Sequence, residues 1–279
     1  MNGILVVNKD KDMTSRDVVN IISKKFNTKK VGHSGTLDPI ATGVLVVAIG
    51  KYTKLINILT SSYKEYVATF QLGILTDTLD ITGNIIDEKS YGVDKELIES
   101  VLNSFLGKSI QEVPKYSAVK INGKKLYEYA REGIDIDLPK REIDIKEIEL
   151  YSFKGDTITF RCVVSKGTYI RSLINDIGKK LNTYATMTEL KRTKQGNFKI
   201  EDSHTLKSIE KEQFKLLTYK DIFKSYEKYE LNDEEYFKVK NGQKMPINFK
   251  NDEIIYTYKD EYIALYVKDN DKARIKIMF

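Results

Sequence analysis

Three short segments hold residues whose types and spacing could do chemistry. The first is GHSGTLDPIATGVL, Gly32–Leu45, in which Asp38 is the only carboxylate. Pro39 disfavours helical backbone at Asp38 and pushes it towards an extended conformation. A glycine-punctuated loop ahead of a buried strand can present such a side chain at the edge of a rigid sheet. The same residues also suit a turn whose aspartate bonds loop amides, and on this segment alone that reading is the stronger. The second is SKGTYIRSL, Ser165–Leu173, which runs from a strand into a helix start. Free amides and the positive end of a dipole lie there, and Arg171 in the first turn can pair with a carboxylate. Taken alone, Tyr169 and Arg171 are more often packing and surface charge. The third is KEYVATFQLG, Lys64–Gly73, with Tyr66 in an alternating strand. That ring is either a core tyrosine or a platform for a stacked base, a contact worth about 1–3 kcal/mol. Periodicity does not separate the two.

These residues need elements to position them, and the pattern supplies them. Gly3–Lys9 reads as a buried strand, and Thr14–Phe26 as a helix with Val18, Val19, Ile22 and Phe26 on one face. Thr14 with Asp17 resembles a capping box. Residues 31–41 read as a loop, Thr42–Gly50 as a second buried strand, and residues 51–60 as helical. Lys64–Leu72 alternates as a half-buried strand. Residues 94–106 read as an amphipathic helix ending at Gly107, and Asn122-Gly123 as a two-residue hairpin turn. A second hairpin at Gly155-Asp156 joins strands near 143–153 and 157–165, and Thr168–Leu181 is a helix that Asn182 could close. After about residue 225 the pattern changes to short strands with polar turns, such as Glu253–Tyr258 and Tyr262–Val267.

Composition narrows the function classes. One cysteine, Cys162, and two histidines, His33 and His204, leave no material for a disulfide framework or a Cys- or His-rich metal site, so no metal is expected. No apolar run reaches the roughly 18 residues of a membrane span. A reduced, cytoplasmic setting follows as the expectation. The net charge is +6. Residues 1–60 carry nine Lys or Arg against four Asp, and residues 161–200 carry nine against two acids. If the fold joins these two segments, the result is a basic face suited to a phosphate backbone.

The three segments, with TDTLDITG (Thr76–Gly83), YSAVKINGKKLYEYAREG (Tyr116–Gly133), LKRTKQGNF (Leu190–Phe198) and NGQ (Asn241–Gln243), resemble in order the blocks of the bacterial tRNA pseudouridine-55 synthases, the TruB family. The resemblance implies an α+β pseudouridine synthase fold: a mixed, largely antiparallel sheet flanked by helices over residues 1–225, then a small β-rich, PUA-like RNA-binding domain over 226–279. It implies isomerisation of uridine in the T arm of tRNA with Asp38 as the catalytic residue. His33, Tyr66, Tyr169, Arg171, Leu190 and Lys9 would line the substrate. Tyr66 would stack on the flipped base, His33 would fill the gap or touch the flipped nucleotide, and Leu190 would line the pocket. No cofactor, no obligate protein partner and a monomer are expected. The sequence departs from the family pattern in its first motif, where NKDKDMTS places Asp10 where proline is usual and Asp12 where glycine is usual, and before Tyr116, where Val113-Pro114-Lys115 stands for the usual PPx, so one proline is missing. The shape of the first loop is the feature these changes touch. Two alternatives stand beside this reading: a relative acting on another RNA, such as an RNA-guided synthase, and an RNA-binding or tRNA-folding protein without catalysis. An intact Asp38, Tyr66, Tyr169 and Arg171 set argues against the second, since binding alone does not need a carboxylate beside RNA phosphates.

Overall fold

The computed structural model describes all 279 residues. The chain opens with β1 (Gly3–Lys9), α1 (Ser15–Lys25), β2 (Val31–His33) and β3 (Thr42–Ile49). A 3-10 turn over Gly50–Leu55 leads into α2 (Ile56–Thr60) and then β4 (Lys64–Leu72). A small hairpin, β5 (Ile74–Thr76) and β6 (Ile85–Glu88), precedes α3 (Lys95–Asn103) and β7 (Gly107–Glu112). A second small hairpin, β8 (Lys120–Ile121) and β9 (Lys124–Lys125), precedes α4 (Leu126–Arg131). Long strands β10 (Lys140–Lys154) and β11 (Thr157–Val164) follow, then α5 (Ile170–Lys180), β12 (Ala185–Gln195), β13 (Phe198–Lys199), β14 (His204–Thr205), α6 (Leu206–Glu210) and α7 (Tyr219–Ile222). The last segment holds β15 (Lys228–Glu230), α8 (Asp233–Lys240), β16 (Met245–Pro246), β17 (Glu253–Tyr258), β18 (Glu261–Asp269) and β19 (Lys272–Met278).

The main sheet has ten strands in the order β14-β1-β3-β12-β4-β11-β10-β7, with β2 on β3 and β13 on β12. Only β1–β14 and β3–β12 run parallel; the other pairings are antiparallel. The unbroken apolar runs of β1 and β3 reflect burial on both faces. Leu5, Val7, Leu45, Val47 and Ile49 join the core under α1, α3 and α5, while Ile4, Val6, Val44, Val46 and Ala48 face the other side. β4 alternates because only Tyr66, Ala68, Phe70 and Leu72 point into that first core.

The second face of the sheet is covered by the C-terminal segment. Its five-stranded sheet, in the order β15-β17-β18-β19-β16, has its own core but sends Ile255 and Leu265 into a cluster with Ile4, Val46, Tyr52, Tyr219 and Phe223. Tyr52 and Tyr219 stack with centroids 4.0 Å apart, and Phe279 lies 4.3 Å from Tyr219.

Most elements form where their pattern places them, and the differences have local causes. Residues 31–33 pair with β3 as a short strand, so the expected loop is shorter at its start. The first half of the helix expected at 51–60 is a 3-10 turn. α3 stops at Asn103, and Gly107, at φ 88°, begins edge strand β7 rather than closing the helix. Thr14 and Asp17 do form a reciprocal capping box, and Asn182, at φ 55°, follows α5.

Candidate active site

The loop carrying Asp38 is held from below by the first motif. The Ser15 hydroxyl accepts from Leu37 N at 2.8 Å and lies 3.1 Å from Leu37 O. Asp12 N donates to Pro39 O at 2.9 Å. Asp12 adopts φ 62°, the left-handed conformation glycine takes easily. The aspartate therefore keeps the loop's path at a local cost of about 1 kcal/mol. Gly43, ending the same motif, takes φ 99°, and a Cβ there would sit 2.2 Å from the Arg192 carbonyl oxygen of β12. Only glycine lets the two strands meet at this point.

Lys9 was expected among the substrate-binding residues; its place in the structure corrects that. It is fully buried and its Nζ donates to the carbonyls of Asp10 (2.8 Å), Met13 (2.6 Å) and Pro39 (3.3 Å). With its donors used inside the protein, it ties the first loop to the Asp38 loop rather than presenting an ammonium to substrate. Burial pulls its pKa down to about 8, against the opposing pull of Asp10, Asp38 and Asp12.

Arg171 lies in the first turn of α5 and is almost wholly buried. Its Nε lies 3.1 Å from Asp38 Oδ2. Its Nη1 donates to Thr78 O at 2.9 Å and lies 3.6 Å from Asp80 Oδ2; its Nη2 donates to Tyr116 O at 3.0 Å. The guanidinium thus joins four chain segments, with all three of its nitrogens engaged. The Asp38 carboxylate is 36% exposed, open enough to meet a substrate, while the arginine partner is 6% exposed. That asymmetry is what a reactive carboxylate needs: a fixed, ionic support on one side and free access on the other.

Asp80 was not singled out from the sequence. Its side chain is 7% exposed, and Oδ1 accepts from Thr82 N (3.1 Å), Thr82 Oγ1 (2.5 Å) and Thr78 Oγ1 (3.0 Å). The available signal was the three threonines that flank Asp77 and Asp80 in TDTLDITG, a composition suited to holding a buried carboxylate.

The remaining predicted residues stand on β2, β4, β12 and at the start of α5. Tyr66 and Leu190 stand on one face of adjacent strands, Leu190 opposite Ala68 and Arg192 opposite Tyr66. Both are largely buried, at 7% and 8% exposure. Tyr169 is the N-cap residue of α5, two positions before Arg171. His33 closes β2, and its Nδ1 accepts from Gly35 N at 3.3 Å. Burial first, then the Arg192 and Arg16 guanidiniums, hold its pKa below the usual imidazole value. Arg192, also missed from the sequence, is fully buried and donates Nε to Val44 O at 2.6 Å and Nη2 to Gly35 O at 3.1 Å, pinning the loop that leads to Asp38.

The two basic segments do abut, since β3 and β12 pair through Thr42–Lys191 and Gly43–Arg192. Three of their cations, Lys9, Arg171 and Arg192, are internal. Arg161 is further engaged with Glu65 and Glu147. The positive surface is thus smaller than the sequence count suggests and rests on exposed residues such as Lys29, Lys30, Lys166 and Lys191.

The chain is similar to known proteins over nearly its whole length. Residues 23–170 match the family model "TruB family pseudouridylate synthase (N terminal domain)", and residues 171–234 match "tRNA pseudouridylate synthase B C-terminal domain". A tRNA pseudouridine synthase B of Fusobacterium nucleatum is 46% identical, over 97% of both chains. One from Clostridium tetani is 41% identical over 99% of this chain and 98% of that one. Among solved structures, a chain of a Cbf5-Nop10-Gar1 complex aligns with a TM-score of 0.73 at 26% identity, covering 99% of this chain and 84% of that chain. With the Asp38–Arg171 pair in place and relatives of matching length, this chain belongs to the TruB family of pseudouridylate synthases.

Proposed function

We propose that the protein converts uridine 55 in the T loop of tRNA to pseudouridine, with Asp38 as the essential catalytic group. The coarser activity, pseudouridine formation in tRNA, is that of its curated relatives. The observation that carries the finer reading is the Asp38 carboxylate: partly exposed, and fixed by a buried arginine that is itself held by Thr78, Asp80 and Tyr116.

The reaction breaks the N1–C1′ bond, turns the uracil, joins C5 to C1′ and removes the C5 proton. A uridine inside a folded loop must first leave its stack, which costs a few kcal/mol. In this reading Tyr66 stacks on the extruded base, Leu190 lines the pocket and His33 meets the flipped nucleotide or fills the gap it leaves. Its depressed pKa keeps the imidazole neutral. Tyr169 holds the base or takes part in loss of the C5 proton. Arg171 orients the Asp38 carboxylate through its Nε.

We divide the chain into a catalytic domain over 1–225 and a PUA-like RNA-binding domain over 226–279, acting as a monomer without an obligate protein partner in the cytoplasm. No helix is long and apolar enough to cross a membrane. The test is incubation of the purified chain with unmodified total tRNA, followed by single-nucleotide mapping of pseudouridine. Modification confined to the T loop supports the reading. Modification that requires an added guide RNA favours instead the RNA-guided alternative.

A further inference from the structure

Strand β7 lies at the edge of the main sheet, and five of its six residues are exposed. The exception is polar: Gln111, at 3% exposure. Its carboxamide makes a two-point contact with the backbone of one residue. Oε1 accepts from Tyr169 N at 2.8 Å and Nε2 donates to Tyr169 O at 3.1 Å. Tyr169 is the N-cap of α5 and has no side-chain capping bond of its own. The next residue of β7 grips the same turn, since Ser172 Oγ donates to Glu112 O at 3.0 Å. The loop after β7 supplies Tyr116 O to Arg171. Residues 169, 171 and 172 are therefore all fixed by one edge strand and its exit loop.

We propose that Gln111 is a positioning residue for the isomerisation: it sets the backbone of Tyr169 and thereby starts α5 where the Arg171 guanidinium meets Asp38. This rests on the reading of Asp38 and Arg171 as the catalytic pair. The carboxamide suits the task because it offers an acceptor and a donor that reach the N–H and C=O of one residue, as a neighbouring strand would. A glutamate has nearly the same shape. Ionised, it keeps the acceptor for Tyr169 N but turns a second acceptor against Tyr169 O. Protonated, it regains the donor. The charged groups on the elements packed against this site are Arg141, in register with Gln111 on β10 and near Gly167, Arg171 on α5, and the adjacent Glu112. The two arginines favour the ionised glutamate and the Tyr169 carbonyl opposes it, so the change in rate falls on the acid side.

The experiment compares wild type, Gln111→Glu, Gln111→Met and Asp38→Asn by single-turnover pseudouridine formation at saturating tRNA between about pH 5 and about pH 8. Circular dichroism and tRNA affinity are followed in parallel. Gln111→Met keeps the volume without either bond and should slow the reaction about 100-fold at every pH, with affinity within about threefold. Gln111→Glu should match that loss near pH 8 and regain about tenfold relative to wild type near pH 5. A purely structural role would lower the melting temperature and leave the rate of the folded variant intact. Gln111→Met at the wild-type rate, or a ratio of Gln111→Glu to wild type that stays flat with pH, overturns the proposal. Asp38→Asn separates the two claims: if it abolishes product while the Gln111 variants react normally, the catalytic pair stands and only the role of Gln111 fails.

Discussion

Replacing Arg171 by Met removes a buried cation that supports two carboxylates, and the consequences can be worked from the distances. Asp80 is 7% exposed and sits 3.6 Å from Nη1. Removing one partner of such a buried pair typically costs about 3–5 kcal/mol, because the remaining charge is left uncompensated. Here the Thr78 and Thr82 groups still bond Asp80, so the lower end, about 3 kcal/mol, is expected. For a chain of this size that is a fall of about 6–12 °C in melting temperature. Asp80→Asn supplies the check. Alone it leaves Arg171 short of a counter-charge and should destabilise. In the Arg171→Met background it removes an orphaned charge, so its cost should vanish or reverse, giving a coupling of about 1–3 kcal/mol. The assay is a four-corner thermal or urea unfolding cycle, with pseudouridine yield measured on each folded variant. Stability should return in the double variant while activity does not, because Asp38 still lacks its support. An Asp80→Asn cost that is equal in both backgrounds would refute the reasoning that Arg171 and Asp80 form one unit.

Four further outcomes follow from the same geometry. Tyr66→Leu should leave tRNA affinity nearly unchanged yet slow the reaction; a wild-type rate would return Tyr66 to the role of a core tyrosine. Lys9 and Lys64 both have pKa values pulled to about 8 by burial, so between about pH 8 and about pH 10 the folded state binds fewer protons than the unfolded one. Their contribution to stability therefore rises with pH across that window and is lost as pH falls through 8, and Lys9→Met or Lys64→Met should flatten the rise in a melting-temperature profile. Replacing Lys29 and Lys30 together should reduce the slope of log affinity against log salt by up to about two units, and an unchanged slope would show that they face solvent only. Truncation at residue 225 removes Ile255, Leu265 and Phe279 from the apolar cluster around Tyr52 and Tyr219, so the shortened chain should melt earlier as well as bind tRNA more weakly.

What could be read from the sequence was whatever is local. β1 and β4 carry their boundaries in composition and alternation, and the Thr14 cap, the Asn122-Gly123 turn and the Gly155-Asp156 turn are written in two to four residues. Asp38 and Arg171 were identified by their motifs, and the structure brings them into an ion pair. The supporting shell was not legible, because it is made of contacts between residues far apart in the chain. Gln111 meets Tyr169 across 58 positions and Arg192 meets Gly35 across 157. Nothing in either residue type announces such a partner. Charge counting failed in the same way: Lys9 and Arg192 both count towards the basic segments, and both are buried and bonded to loop carbonyls. The departure at Asp12 is mild, since Asp12 accepts the left-handed backbone that glycine would take.

The central claim is that the Asp38 carboxylate does the chemistry, and Asp38→Asn tests it most directly. Asparagine keeps the shape and leaves an oxygen able to accept from Arg171 Nε, so the fold should hold. It removes the charged oxygen that would attack or take a proton, and no other carboxylate lies in the motif. tRNA affinity and pseudouridine yield are measured on the same folded variant. The expected result is binding equal to wild type or slightly tighter, since a negative charge near phosphates is gone, with no detectable pseudouridine. Appreciable pseudouridine from Asp38→Asn would contradict the claim.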